Sequence, residues 1–314
     1  MIAPEFWTHR GPVAQLLRPF GLITRIATAR RMRRPGIAIG VKTVCVGNVG
    51  VGGSGKTIVV LDILARLPGR PFALTRGYGG ALRGPLLVES GIHTADEVGD
   101  EALLLAAAAQ TVKAEDRAAG ARLALAEGAT AIVMDDGLQN PALRKDLSLL
   151  VIDGGYGFGN GLLLPAGPLR EPVQSAASRC HAAVLVGQDE TGALARLPPS
   201  LPVLYASMVP DCAEPLGRRP VIAFAGIGRP EKFFRSVLSL GADLVSSHAY
   251  PDHHVYAAKE ASALLAEATT KGAKLVTTAK DFVKLPPALR AACLVVQARL
   301  AWEDEAALEM LLNA

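Results

Sequence analysis

Residues 50–57 read GVGGSGKT, and their types and spacing are suited to holding the phosphates of a nucleotide. They match the pattern G-x-x-x-x-G-K-[ST], in which backbone N–H groups of a glycine-rich turn and the N-terminus of the following helix bind phosphate oxygens. Lys56 would reach the β- and γ-phosphates, and the Thr57 hydroxyl would ligate Mg²⁺. The predicted phosphate-binding residues are Gly50, Gly52, Gly53, Ser54, Gly55, Lys56 and Thr57.

A pair of acids could supply the remaining protein ligands of that Mg²⁺. Residues 131–139 read AIVMDDGLQ, an apolar segment that ends in Asp135 and Asp136. Carboxylates at the C-terminal end of a strand beside the phosphate-binding strand suit Mg²⁺ coordination, directly or through water. Adjacent side chains point to different sides, so we expect only one of the two acids to face the metal directly. The sequence leaves open which one.

Two other segments could provide acid–base chemistry. VGDEALLL places Asp100 at a predicted helix start, where an aspartate is also a common N-terminal cap. PDHHVY places His253 and His254 after Asp252 at another predicted helix start. A carboxylate paired with an imidazole could accept the proton of a hydroxyl group, although a histidine pair is more often structural.

An alternation of strands and helices would position these groups. Apolar strands are predicted at 41–46, 71–74, 131–134, 147–152, 182–186 and 203–206, with helices at 57–67, 100–109 and 118–127. Such strands, separated by helices, indicate a parallel sheet covered on both faces. Further strands are predicted at 221–225, 243–247 and 274–278, with helices at 230–240 and 255–270, and residues 210–220 resemble a linker. The predicted fold is α/β: a P-loop NTPase-type parallel-sheet domain at 36–212 and a smaller α/β domain at 213–314.

Residues 1–35 form a predicted N-terminal amphipathic helical arm. The first 34 residues contain seven arginines and one glutamate, more than the whole net charge of +4. Trp7 and Phe20 among arginines suit helices lying in a membrane interface, with the aromatic rings dipping in and arginine meeting anionic headgroups. A surface helix packed on the body is the alternative, because glycine and proline interrupt the pattern. The rest of the chain is net acidic, which argues against a nucleic-acid partner.

The four cysteines are scattered without a C-x-x-C pair, which is typical of reduced thiols in the cytosol. No apolar run reaches the roughly 20 residues that span a bilayer. The N-terminus lacks the pattern of a secretory signal. We therefore expect a cytosolic protein, or one on the cytosolic face of a membrane.

Taken in order, the segments GNVGVGGSGKT, RGYGG, VGDEALLL, DDGLQ, LLPAGPLREP and DHH resemble the tetraacyldisaccharide 4′-kinase family over nearly the whole chain. The resemblance implies that ATP phosphorylates the 4′-hydroxyl of a tetra-acylated glucosamine disaccharide 1-phosphate, giving lipid IVA. It also implies a peripheral enzyme on the cytosolic face of the bacterial inner membrane. The resemblance would also explain the arm, because an acylated lipid substrate stays in the bilayer and the enzyme must bind the membrane to reach it.

The resemblance also implies roles for residues. Asp100 would accept the hydroxyl proton and His253 would orient it; the choice of His253 over its neighbour rests on the resemblance alone. Since His253 lies in the second domain, domain closure would complete the site. Glu171 joins the two aspartates as an acid near the metal. The predicted substrate contacts are Arg76, Tyr78, Arg117 and Gln139.

Two other functions remain open at this point, a P-loop hydrolase that switches a partner and a kinase of a soluble metabolite. Val51 stands where partitioning-type ATPases carry an additional lysine, which disfavours that class of switch. The family usually reads T-E-K-D where this chain has Ala279 before Lys280, so no role is assigned to the loop of Lys280, Asp281 and Lys284.

Overall fold

The computed structural model describes residues 4–52, 55–228, 230–252 and 254–314. Its strands are β1 Lys42–Gly47, β2 Pro71–Thr75, β3 Leu86–Val88, β4 Gln110–Lys113, β5 Ala131–Asp135, β6 Leu147–Asp153, β7 Ala182–Val186, β8 Val203–Cys212, β9 Pro220–Ala225, β10 Asp243–Ala249, β11 Lys274–Thr278 and β12 Cys293–Trp302. Its helices are α1 Pro12–Leu17, α2 Gly21–Met32, α3 Lys56–Arg66, α4 Ala95–Val98, α5 Asp100–Ala106, α6 Arg117–Ala126, α7 Val173–Ala177, α8 Pro230–Ser239, α9 Ala258–Lys271, α10 Ala279–Phe282, α11 Pro287–Ala292 and α12 Glu305–Asn313.

These strands form one sheet in the order β10-β9-β11-β12-β8-β7-β6-β1-β5-β2-β4-β3. We call β1 to β8 the P-loop half and β9 to β12 the second half. In the P-loop half, β1 pairs in parallel with β5 on one side and β6 on the other. The antiparallel exceptions among the described strands are β3 on β4 and β12 on β8. The predicted α/β class with a mostly parallel sheet is confirmed.

Apolar side chains on both faces of the strands explain the layers. Cores of the P-loop half lie on either side of the sheet: Val59 and Ile63 of α3 pack on one face, and Ala121 and Ala124 of α6 on the other. The second half has its own two cores, one under α8 and one under α9. Continuous burial of β5 from Ala131 to Asp135 is what a central parallel strand requires.

The halves are joined more closely than the predicted linker suggests. Residues 210–212, expected in the linker, are the end of β8 and pair with β12. After β12 the chain returns to the P-loop half, where Trp302, Leu308 and Leu312 enter the same core as α3. Trp302 Nε1 donates to Asp62 Oδ2 at 2.9 Å. The predicted boundary at 212/213 therefore does not separate the cores cleanly.

The arm is helical, as predicted, and it docks on residues 162–172. Trp7 Nε1 donates to the Pro165 carbonyl at 3.1 Å, and the Thr24 hydroxyl donates to the Leu164 carbonyl at 2.7 Å. Trp7 is buried, so the expectation that its ring dips into a membrane is wrong: it anchors the arm to the body. Large apolar side chains nevertheless stay exposed along the arm, namely Val13, Leu16, Phe20, Leu22, Ile23 and Ile26.

Within the described ranges, no helix combines the length and the apolar character that crossing a bilayer demands.

Candidate active site

The phosphate-binding loop connects β1 to α3, the context that its sequence predicts. Gly52 has φ 124° and Gly55 φ 76°, backbone conformations that glycine adopts at little cost. Lys56 is the first residue of α3, and its Nζ donates to the Gly52 carbonyl at 3.2 Å. The predicted residues Gly53 and Ser54 lie outside the described ranges. The loop thus places the helix N-terminus and Lys56 together, where phosphate oxygens are stabilised.

Residues 162–172 form a wall against this loop. The Val51 N–H donates to the Pro168 carbonyl at 2.9 Å, and the Arg170 N–H donates to the Val49 carbonyl at 2.8 Å. Gly50 forms an isolated bridge with Leu169. The segment that docks the arm therefore also fixes the base of the phosphate-binding loop.

Asp135 and Asp136 lie at the end of β5, directly beside β1. Among the described non-glycine residues, only Asp136 has a φ in the left-handed region, at 54°, which turns the chain between the two acids. Asp136 Oδ2 accepts from the Arg170 guanidinium at 2.8 Å, and its Oδ1 lies 4.0 Å from Lys56 Nζ. Asp135 is 2% exposed. The pair therefore lies next to the phosphate-binding lysine, as the strand order predicts.

Burial decides the charge of Asp135. Removal from water raises the pKa of its carboxyl to about 7, with Glu101 and Asp136 adding to the rise and Lys56 and Arg117 opposing it.

Asp135→Asn is expected to raise the melting temperature of the metal-free protein more at pH 8 than at pH 5. An acid whose folded pKa lies above its unfolded value costs stability as the pH rises from about 4 through about 7, because the buried charge must form. Melting in EDTA at both pH values measures the difference. Asp116→Asn, at an exposed helix cap, is the control; equal shifts at both pH values for Asp135→Asn would contradict the assignment.

A Mg²⁺ ion fits the acid pair together with nucleotide phosphates. Among the residues that the structure describes, no three His, Cys, Asp or Glu side chains converge on a metal site. Mg²⁺ needs fewer, because it binds one or two carboxylates together with phosphate oxygens and water. Asp135 Oδ1 and Asp136 Oδ1 are buried and lack a hydrogen-bond partner within the described ranges. With Thr57 on the first turn of α3, these are the groups that would hold the ion.

Glu171 was expected near the metal, and its oxygens have other partners. Both accept from Arg179 at 2.8 Å, and Oε1 also accepts from Gln139 Nε2 at 2.9 Å. Gln139 was expected to contact substrate; it is buried, donates to the Asn48 carbonyl and accepts from Arg170 at 3.3 Å. We therefore assign Glu171 and Gln139 to support of the loop and of Arg170.

The RGYGG loop, residues 76–80, packs on the turn before Asp100. A Cβ on Gly99, where φ is 90°, would lie 2.5 Å from the Tyr78 carbonyl oxygen, so only glycine fits there. Arg76 and Tyr78 are exposed, and their contact with a substrate stays a prediction. Asp100 begins α5 and is 8% exposed.

Arg117 was expected to contact the anionic substrate. It is buried at the start of α6, and its guanidinium donates to the Ala114 carbonyl. Burial lowers its pKa, against the pull of Asp135 and Asp136. Arg117 is therefore a buried cation, and its contact with an anionic substrate stays a prediction.

In the second half, His254 is held by its neighbours. Its Nε2 lies 3.0 Å from Glu260 Oε2, and its ring stacks on Tyr250 with centroids 4.6 Å apart. His254 thus has a packing role at the start of α9. The predicted catalytic residue His253 lies outside the described ranges.

Sequence reasoning missed Arg179 and the electrostatic role of Glu101. Glu101 had a signal, because it adjoins Asp100 in the same motif. Arg179 had none: it meets Glu171 only because α7 folds the chain back between them.

A phosphate-binding loop at the head of a helix and paired acids at the end of the adjacent strand define a P-loop phosphotransferase. The model of one family, tetraacyldisaccharide-1-P 4′-kinase, matches residues 13–314. The chain belongs to that family.

Relatives and a solved structure agree. The chain is 54% identical to the tetraacyldisaccharide 4′-kinase of Gluconacetobacter diazotrophicus, over 100% of this chain and 98% of that protein. It is 46% identical to the enzyme of the same name from Gluconobacter oxydans, over 99% and 97%. The crystal structure of LpxK from Aquifex aeolicus in complex with ATP superposes with a TM-score of 0.77 at 28% identity, over 96% of this chain and 98% of that one.

Proposed function

We propose that this chain transfers the γ-phosphoryl group of ATP to the 4′-hydroxyl of tetraacyldisaccharide 1-phosphate, giving lipid IVA in lipid A biosynthesis. Family membership supports the reaction. The structural observation that carries the proposal is the shared wall: residues 162–172 hold both the phosphate-binding loop and an arm with an exposed apolar face.

The path from the arm to the acid pair is short. The Thr28 hydroxyl on α2 donates to the Arg170 carbonyl at 3.0 Å, and the Arg170 guanidinium donates to Asp136 at 2.8 Å. One residue therefore separates the arm from the proposed metal site. An acceptor whose acyl chains stay in the bilayer would enter from this side, which favours a lipid over a soluble metabolite.

The residues have the following proposed roles. Backbone groups of the loop and Lys56 hold the β- and γ-phosphates, and Asp100 accepts the proton of the attacking hydroxyl. Thr57 and the acid pair would hold Mg²⁺, which would neutralise negative charge on the phosphoryl oxygens. His253, by resemblance, orients Asp100.

Substrate recognition falls to exposed groups. Arg76 and Tyr78 can reach an anionic sugar, since neither side chain is buried in the body. Arg170 neutralises Asp136 on the arm side of the site.

The experiment that tests the function is incubation with γ-labelled ATP and two acceptors, the tetraacyldisaccharide 1-phosphate in mixed micelles and the water-soluble glucosamine 1-phosphate. Label on the lipid supports the proposal. Free phosphate alone indicates a hydrolase switch, and label on the soluble sugar alone indicates a metabolite kinase.

The arm is proposed to bind the cytosolic face of the inner membrane peripherally, with its exposed arginines towards anionic headgroups. Ile23→Glu should lower binding to phosphatidylglycerol vesicles about tenfold or more, because burying one such side chain contributes about 1.5–3 kcal/mol. Vesicle sedimentation measures this. Ala263→Glu, exposed on α9, is the control; equal loss in both variants, or none in Ile23→Glu, would contradict the proposal.

A further inference from the structure

The side chain of Lys284, in the second half of the sheet, is buried against the start of α5. Lys284 lies two residues beyond α10, and its side chain is 3% exposed. Its Nζ lies 3.6 Å from Asp100 Oδ2 and 3.4 Å from Asp281 Oδ1. It has no hydrogen-bond partner within the described ranges. A buried ammonium is costly unless opposite charges face it, so the two carboxylates are what make this position tenable.

Asp281 is a fixed anchor for that lysine. It is fully buried, and its Oδ2 accepts from the Gly226 N–H at 3.0 Å and from the Thr278 hydroxyl at 2.7 Å. Its other oxygen faces Lys284. Two hydrogen bonds on one oxygen hold the carboxylate, so the ammonium has a defined position.

Asp281 also lies close to the segment that contains His254. A Cβ on Gly226 would lie 3.0 Å from both Asp281 Oδ1 and the Cβ of His254, so the three segments are in close contact. Ala279, where the chain departs from the family motif, makes none of the hydrogen bonds described for Asp281. The network uses Thr278, Asp281 and Lys284.

An apolar contact accompanies the charge contact. Val283 packs against the cluster that includes Val98, Ala102 and Leu103, around the turn and first residues of α5. Adjacent residues of one loop therefore meet α5 with a hydrophobic side chain and with a cation. The contact joins the two halves of the sheet at the residue proposed as the base.

We propose that Lys284 is a positioning residue for phosphoryl transfer: it keeps the Asp100 carboxylate correctly oriented where the two halves meet. An ammonium within about 4 Å attracts a carboxylate and restricts its orientation, and a general base must lie within reach of the proton that it accepts. The role of Asp100 as base rests on the proposed function; the tether between the halves does not.

A double-mutant cycle tests the catalytic part. Lys284→Met should lower kcat on the lipid acceptor about 10- to 100-fold, with little change in the KM for ATP, because the base is misplaced while the phosphate-binding loop is intact. In an Asp100→Asn background the same change should have almost no further effect on kcat, since its target is already gone. Losses that multiply independently, or a change confined to KM, would overturn the catalytic role.

A second measurement does not depend on turnover. Hydrogen exchange of residues 98–106 should be about tenfold faster in Lys284→Met than in the wild type, because local opening follows loss of the tether. Unchanged protection there would reject the tether. If the wild type does not label the lipid but exchange still increases in Lys284→Met, the proposed function is rejected and the tether between the halves is supported.

Two variants control these measurements. Lys271→Met removes a lysine from the same half, where it pairs with Glu267 at 2.8 Å on the surface of α9, and should change neither kcat nor the exchange of α5. Lys284→Arg keeps the charge, and we expect it to recover part of the kcat that methionine loses. Arginine no better than methionine, in a protein of equal melting temperature, would count against the role of charge.

Discussion

Lys56→Met lowers kcat for phosphoryl transfer by about 10²- to 10³-fold, the expected result when one group that stabilises transition-state charge is removed. The ammonium lies at the head of α3, 3.2 Å from the Gly52 carbonyl and 4.0 Å from Asp136. From there the ammonium is placed to stabilise the negative charge that spreads over the γ-phosphoryl oxygens during transfer. Methionine keeps the length of the stem, so the loss reports charge rather than packing.

The measurement is single-turnover transfer from labelled ATP to the lipid acceptor. The matched control is Lys232→Met on the exposed surface of α8 in the second half, where no loss is expected. A higher KM for ATP with an unchanged kcat would show that Lys56 binds substrate and transition state equally well. That result would contradict its proposed role in the transfer step.

The parts of the site that depend on local sequence could be predicted. The phosphate-binding loop is read from glycines, a lysine and a helix start, all within one stretch of chain. Placing Asp135 and Asp136 beside it needed only the rule that parallel strands end at the same edge, and β1 does pair with β5. Apolar strands without alternation correctly indicated the covered sheet.

Contacts between distant segments could not be predicted in the same way. Glu171 and Arg117 have residue types that suit a metal and an anion, but partners brought by other elements decide their roles. Arg179 forms an ion pair with Glu171, and Arg117 is buried at the start of α6. Trp7 fits a membrane by composition, yet a carbonyl 158 residues away provides its hydrogen bond.

The C-terminal return was missed for a related reason. β12 pairs antiparallel with β8, and its partly exposed residues give no continuous apolar run. Only the completed sheet shows that Trp302 and α12 belong to the core around α3. A boundary drawn from linker composition cannot detect a chain that crosses back.

Asp100→Asn is expected to lower kcat by about 10²- to 10⁴-fold, the range for loss of a general base. Two observations support its place. Asp100 is the first residue of α5, and Lys284 Nζ lies 3.6 Å from its Oδ2. Asparagine has nearly the same shape and is tolerated at a helix start, so the fold should persist.

The size of this loss separates a base from an electrostatic support. If Asp100 only balanced Lys284, the amide would unsettle the bridge and Lys284→Met in the Asp100→Asn background would restore activity. If Asp100 accepts the proton, no change at Lys284 restores it. Asp96→Asn, exposed in the first turn of α4 four residues upstream, is the matched control and should retain turnover. Full turnover by Asp100→Asn on the lipid acceptor would remove Asp100 as the base, and the acid that takes the hydroxyl proton would then have to be sought among the groups around Asp135.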